Sequence, residues 1–246
     1  MNTKFKSNYE WAIPHIDLLL TEKNKINVIA EIGSRDALDG IFLSKKYNSK
    51  TYIFEPDLNN IPICKKNISA HKNKSNNNPK IYFFDFALSN KSSIIDFYSV
   101  DPDLYDNPGA SSMFLINFKN RPFSDPDRNR DCIQKKIKVK AKRFDQLNLI
   151  SPQMIAMDAQ GSELKILKGF GDKLKKVNFI ITECAFNGSY IGGSNFKEID
   201  SYLQNKGFIF HRSSITNETK PKPSLRDIFG IYTLDFNVLY INSKLK

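Results

Sequence analysis

Two apolar runs in this chain end in carboxylates about 20 residues apart, the layout of a nucleoside-binding α/β unit. The first is Val28-Ile-Ala-Glu-Ile-Gly-Ser-Arg-Asp36, in which Glu31 precedes a turn at Gly33. The second is Tyr52-Ile-Phe-Glu-Pro-Asp57, which ends in Glu55 and Pro56. A glycine in the first turn lets backbone approach a ligand, and a carboxylate after the second strand can accept both ribose hydroxyls. The loop Gly33-Ser34-Arg35-Asp36-Ala37 lacks three spaced glycines, so it does not read as a pyrophosphate loop or a nicotinamide site. One glycine and an acidic strand end suit a ligand with a sugar and a positive centre. S-adenosylmethionine (SAM) is such a ligand, and a methyltransferase is the first expectation.

A third acidic strand end lies in Ile155-Ala-Met-Asp158-Ala-Gln-Gly161-Ser-Glu163-Leu-Lys-Ile-Leu167-Lys-Gly169. This stretch resembles the signature of the FkbM family of SAM-dependent methyltransferases. Glu31-Ile-Gly33, Phe54-Glu55-Pro56, Phe86-Ala87-Leu88-Ser89 and the ending Phe236-Asn-Val-Leu-Tyr240-Ile-Asn242 are similar to the family in the same order. The resemblance covers residues 28–242. It implies a Rossmann-like class I fold, with a seven-stranded, mostly parallel sheet, the last strand antiparallel and helices on both faces. It also implies methyl transfer from SAM to a hydroxyl of a sugar, a glycan or a glycosylated natural product. Two positions depart from the family pattern. Ala37 or a neighbour stands where a second loop glycine is common, and Gln160 stands where an acidic residue is common.

Methyl transfer is an in-line displacement, and a sugar hydroxyl needs a base or a metal ion to become a competent nucleophile. The expected cofactor contacts are Glu31, Gly33, Ser34 and Arg35 at the methionyl end and Glu55 with Pro56 at the ribose. Asp85 and Ala87, after the third strand, are expected at the adenine, and Asp158 at the carboxyl edge. The candidates for catalysis are Asp158, Glu183 and His211. Asp158 reads as general base, as metal ligand, as a contact to the SAM amino group, or simply as a helix cap. Glu183 ends the next strand, and with Asp158 it could hold Mg²⁺, a cation that prefers oxygen ligands. Glu163 falls in the first turn of a helix, where a carboxylate complements the dipole. His71 sits in a polar stretch and reads as a surface residue.

The elements that must position these groups follow from period and punctuation. Strands are expected at 25–32, 50–55, 81–84, 93–100, 137–141, 154–157, 177–182, 208–212 and 236–241. Helices are expected at 9–20, from 36 or 37 to 47, and at 59–71, 162–169 and 196–206. Alternating strands and helices imply a mostly parallel sheet. The chain reads as a single domain, with an N-terminal helical segment over 1–24. Residues 101–131 carry four prolines and no period, the character of a substrate lid.

The 246 residues, 40% of them hydrophobic and 12% aromatic, can bury a large core, which excludes a disordered chain. No apolar run is long enough to span a membrane, and no signal peptide is evident. Cys64, Cys132 and Cys184 lie far apart, as expected for reduced thiols in a cytoplasmic protein. The net charge of +11 raises an anionic partner or an RNA methyltransferase, but the lysines are scattered, so nucleic acid is not the expected partner. The strand Lys135–Arg143 alternates like one solvated cationic face and lacks interleaved aromatics for base stacking. A catalytically silent SAM-binding regulator is the other alternative. A homo-oligomer is left open.

Overall fold

Strands buried on both faces are continuous apolar runs, and four such runs build the middle of the sheet. These are β1 (Val28–Ile32), β2 (Lys50–Phe54), β7 (Met154–Met157) and β8 (Phe179–Ala185). The computed structural model describes residues 5–74, 80–105, 107–120, 133–216, 219–224 and 235–245. With β3 (Ile81–Phe84), β9 (Phe208–Ser213) and β10 (Asp235–Asn242) the strands form one seven-stranded sheet, ordered β3-β2-β1-β7-β8-β10-β9. Only β10 runs against its neighbours, pairing antiparallel with both β8 and β9. This is the expected α/β architecture, and the strand boundaries at β3 and β7 fall where the sequence puts them.

Pleating sends alternate residues to opposite faces. One face carries Ala30, Ile32, Phe54, Ile155, Met157 and Ile180 into the main core, under α4 (Glu163–Gly169) and α5 (Phe196–Asn205). The other carries Ile29, Met154, Ala156, Phe179 and Ile181 against α1 (Ile13–Asp17). On that second face Ile53 packs with Ile41 of α2 (Leu38–Tyr47) and Ile68 of α3 (Ile61–Lys74). Asn195 caps α5 with a reciprocal capping box to Glu198, and Gly207, at φ 83°, turns the chain after the helix.

Three features differ from the sequence expectation. The expected helix 9–20 is a 3₁₀ turn, Glu10–Ala12, followed by α1, which ends at Asp17. The strands expected at 93–100 and 137–141 form a second sheet. In it β6 (Gln134–Lys142) pairs antiparallel with β5 (Ser93–Val100) and parallel with the two-residue β4 (Ala87–Leu88). His71 is buried in α3, where neither ring nitrogen has a hydrogen-bond partner. Cys64 and Cys184 are buried free thiols, and Cys132 lies outside the described residues.

Candidate active site

A cleft of about 500 Å³ opens at the carboxyl ends of β1, β2 and β7, where open α/β sheets bind ligands. The turn after β1 is shaped by alternate left-handed residues: Gly33 at φ 78°, Arg35 at 52° and Ala37 at 66°. Only Gly33 has to be glycine for lack of space, since a Cβ there would stand 1.9 Å from the Asp158 carbonyl oxygen. Arg35 and Ala37 bear the left-handed penalty, about 1 kcal/mol each. The loop therefore holds three left-handed residues with one glycine. The backbone N–H of Arg35 donates to Glu55 Oε2 at 2.8 Å, and that of Asp57 donates to Oε1 at 2.7 Å. Glu55 is 4% exposed and lines the cleft. Burial pushes its carboxyl up to about 7 despite the two backbone donors, which pull it down.

Apolar walls come from Phe54, Phe86, Ala87, Leu88 and Phe97. Phe97 belongs to β5, so the second sheet supplies part of the cofactor-side wall. Gly109, Ser111 and Met113 close the cleft from the segment after β5. That segment is tied to the floor, because Ser112 Oγ donates to the Gln160 carbonyl at 2.6 Å.

A second cleft of about 280 Å³ is lined by residues including Gly161, Glu163, Glu183, Tyr190 and Asp235, interleaved along the chain with Asp158, Ala159 and Ser162 of the first. Between the two stands Gln160, whose left-handed backbone (φ 53°) turns its side chain back over the sheet edge. Its Nε2 donates to Asp158 Oδ1 and, at 2.8 Å, to Glu183 Oε2. Its Oε1 accepts from the Tyr190 hydroxyl. Burial, then the facing charge of Asp158, hold Glu183 well above the usual carboxylate range. Glu163 is a brace for this turn: its Oε1 accepts from Ala159 N at 2.9 Å and Gly161 N at 3.3 Å. Burial pushes Glu163 up to about 7 as well.

The structure brings together Gly33, Arg35, Glu55, Pro56, Ala87 and Asp158 around the cleft. It does not bring four other predicted residues there. Glu31 points its carboxylate to the α2 face, where a Cβ on Gly40 would meet Oε2 at 3.2 Å, because the pleat turns residue 31 away from residues 30 and 32. Ser34 is spent on the loop, accepting from Ala37 N at 3.0 Å. Asp85 follows the edge strand β3, which has no neighbour on its far side. It is exposed, with Lys65 at 4.0 Å. His211 stands on β9 beside His15, ring centroids 6.0 Å apart, and lines neither cleft. Asp158 is not a helix cap, since the N-cap of α4 is Ser162.

Asp158 and Glu183 do come together, but as a pair bridged by an amide donor. An N–H group aimed at both carboxyls does not fit a Mg²⁺ site. No group of three potential metal ligands occurs among the described residues. Tyr190 is the site residue that the sequence reading missed, and Gln160 entered it only as a departure from the family pattern. The only signal near Tyr190 was the run of glycines at 188, 192 and 193.

A seven-stranded sheet in this order, with one antiparallel strand and a nucleoside-shaped cleft over β1 and β2, defines a class I SAM-dependent methyltransferase fold. Residues 27–210 match the FkbM methyltransferase domain, and the chain belongs to that family. The 2-O-methyltransferase NoeI of Sinorhizobium fredii (strain NBRC 101917 / NGR234) is 27% identical over 177 residues, which are 67% of this chain and 66% of that protein. The match thus spans just under two thirds of that relative. The crystal structure of methyltransferase FkbM from Methylobacillus flagellatus KT gives a TM-score of 0.52 at 12% identity, covering 89% of this chain and 44% of that one. At that identity the likeness shows the fold.

Proposed function

We propose that this methyltransferase acts on a hydroxyl of a sugar or glycosylated acceptor, with Asp158 as general base. The observation that carries this reading is the Asp158–Gln160–Glu183 bridge between two unlike clefts. The first has apolar walls suited to a nucleoside and ends at Glu55, whose two oxygens are fixed by backbone donors for the ribose hydroxyls. The second is rich in hydrogen-bonding groups, as a hydroxyl-rich acceptor requires. The similarity to NoeI, a 2-O-methyltransferase by name, supports an oxygen acceptor.

When bound, SAM supplies an electrophilic sulfonium methyl. Gly33, Arg35, Glu55 and Pro56 would hold and orient the cofactor, with Phe86, Ala87 and Leu88 as the apolar wall of its cleft. Asp158 would take the acceptor's hydroxyl proton, leaving the oxygen free to receive the methyl group that SAM would supply. Gln160 fixes Oδ1 of Asp158 and ties it to Glu183 through the same amide. The described part of the segment after β5, residues 107–120, would exclude water over the cleft; the rest of the expected lid, at 106 and 121–131, lies outside the described residues.

The test is methyl transfer from labelled SAM into a panel of glycans, run for the wild type and for Asp158→Asn. Asn keeps an oxygen acceptor for Gln160, so SAM binding and melting should hold while turnover falls about 10²–10⁴-fold. Normal turnover in the variant would remove Asp158 as the base. Label entering RNA but no glycan would refute the acceptor class.

A further inference from the structure

The cationic strand β6 plays no part in either cleft, yet its charge is ordered by the fold. It is the middle strand of the second sheet, and its two faces meet different surroundings. Val139 and Ala141 point inward and pack with Phe97 and Ala87, both walls of the cofactor cleft. Pleating sends Lys136, Lys138, Lys140 and Lys142 the other way, at intervals of about 7 Å. All four are exposed. The outward residues of β5 stand level with them: Tyr98 with Lys136, Asp96 with Lys138 and Ile94 with Lys140.

This face carries one counter-charge. Asp96 accepts from Lys136 Nζ at 2.8 Å and from Lys138 Nζ at 2.5 Å. Lys140 and Lys142 have no carboxylate partner among the described residues, and Lys142 Nζ lies 4.5 Å from the centre of the Phe86 ring. The four lysines therefore keep a positive excess of three charges over Asp96. That excess is spread along an open strand face and lines neither cleft, which fits an extended anionic surface better than a small anion. Ile94 is 60% exposed within it. An apolar side chain adds nothing to a contact with nucleic-acid phosphates, but in a lipid headgroup layer it can enter the acyl boundary. Tyr98, half-buried opposite Lys136, has the apolar ring and polar tip favoured at membrane interfaces. Single-stranded nucleic acid calls instead for successive aromatic platforms, which β6 lacks.

We propose that the outward face of β5 and β6 is a docking surface for an anionic phospholipid bilayer. The lysines meet headgroup phosphates, and Ile94 sits beneath them among the acyl chains. Each unpaired lysine near such a surface strengthens binding about fivefold, and the chain's net charge of +11 draws the protein in from a distance. Because the inward side of the same strands packs with Phe97 and Ala87, docking holds the cofactor cleft directly behind the membrane-facing layer.

The experiment is co-sedimentation of the full chain with vesicles of phosphatidylcholine alone and of an equal mixture of phosphatidylcholine and phosphatidylglycerol. The mixed vesicles should bind the wild type at low ionic strength and release most of it near 1 M salt, where the screening length is about 3 Å. The triple variant Lys136→Gln, Lys138→Gln, Lys140→Gln should bind at least tenfold more weakly. The same loss of charge at Lys66, Lys176 and Lys197, exposed on other elements, should weaken binding much less. Ile94→Asn should weaken it severalfold with every charge in place, and a thermal melt checks the fold of each variant. No preference of the wild type for anionic vesicles, or an equal loss in the two triple variants, would overturn the proposal. So would wild-type vesicle binding by Ile94→Asn together with tighter retention on RNA, the pattern of a nucleic-acid surface.

Discussion

Replacing Glu163 by Gln should make the protein more stable at alkaline pH, although the residue is buried and hydrogen-bonded at the edge of the active site. Both backbone bonds, from Ala159 N and Gly161 N, end on Oε1, and Gln retains that acceptor. The position of Oε2 faces Ser194 Oγ at 3.5 Å, which an amide can meet as donor. What the substitution removes is a buried charge. Burial lifts the carboxyl from 4.5 to about 7, a value that already includes the two backbone bonds pulling it down. Between pH 4.5 and 7 the folded state holds a proton that the unfolded chain has released, so stability falls as pH rises through that window. The worked difference is about 3 kcal/mol, present above pH 7 and absent below pH 4.5. Urea midpoints for wild type and Glu163→Gln at pH 5 and pH 8 measure it. The variant should gain about 2–3 kcal/mol at pH 8 and little at pH 5. A variant less stable at pH 8, or one with the same pH slope as wild type, would refute the claim that Glu163 is a buried brace with a costly charge.

Glu55→Gln must set an amide N–H against one of two backbone donors, so SAM should bind at least tenfold more weakly by calorimetry. In the wild type, SAM affinity should decline as pH falls below about 7, where Glu55 takes up a proton and loses acceptor capacity. Limited proteolysis should cut within residues 107–120 in the free protein and slow when SAM and acceptor are both present, because Gly109, Ser111 and Met113 close the cleft. Equal cutting in both states would make that segment a fixed wall.

The sheet was legible in the sequence because strands covered on both faces read as uninterrupted apolar runs. The runs at Ile81–Phe84 and Met154–Met157 give their boundaries directly. What periodicity cannot give is which of several strand-end carboxylates meets the ligand. Glu31 and Glu55 look alike as residues closing apolar runs. Glu31 still lies inside β1, so the pleat sends it to the α2 face, whereas Glu55 lies one residue beyond β2, where the chain is free of the ladder and turns over the edge. Asp85 fails for another reason: its strand ends the sheet, and strand order is a tertiary fact. The second sheet was hidden because its link to the core, β4, is two residues long.

The same distinction explains why the proposed general base is Asp158 and not His211. Both are polar residues at or near strand ends. Strand β7 lies at the centre of the sheet between β1 and β8, so a group at its carboxyl end touches both the loop at Gly33 and the side chains after β8. Strand β9 is the opposite edge, reached only through the antiparallel β10, and its residue 211 faces His15 near α1. Chain order places β9 next to β8, whereas β10 inserts between them and moves His211 one strand farther from the cofactor cleft. A sequence reading that counts strands along the chain therefore overrates a histidine on β9, and the strand that displaces it is the antiparallel one that marks the methyltransferase fold.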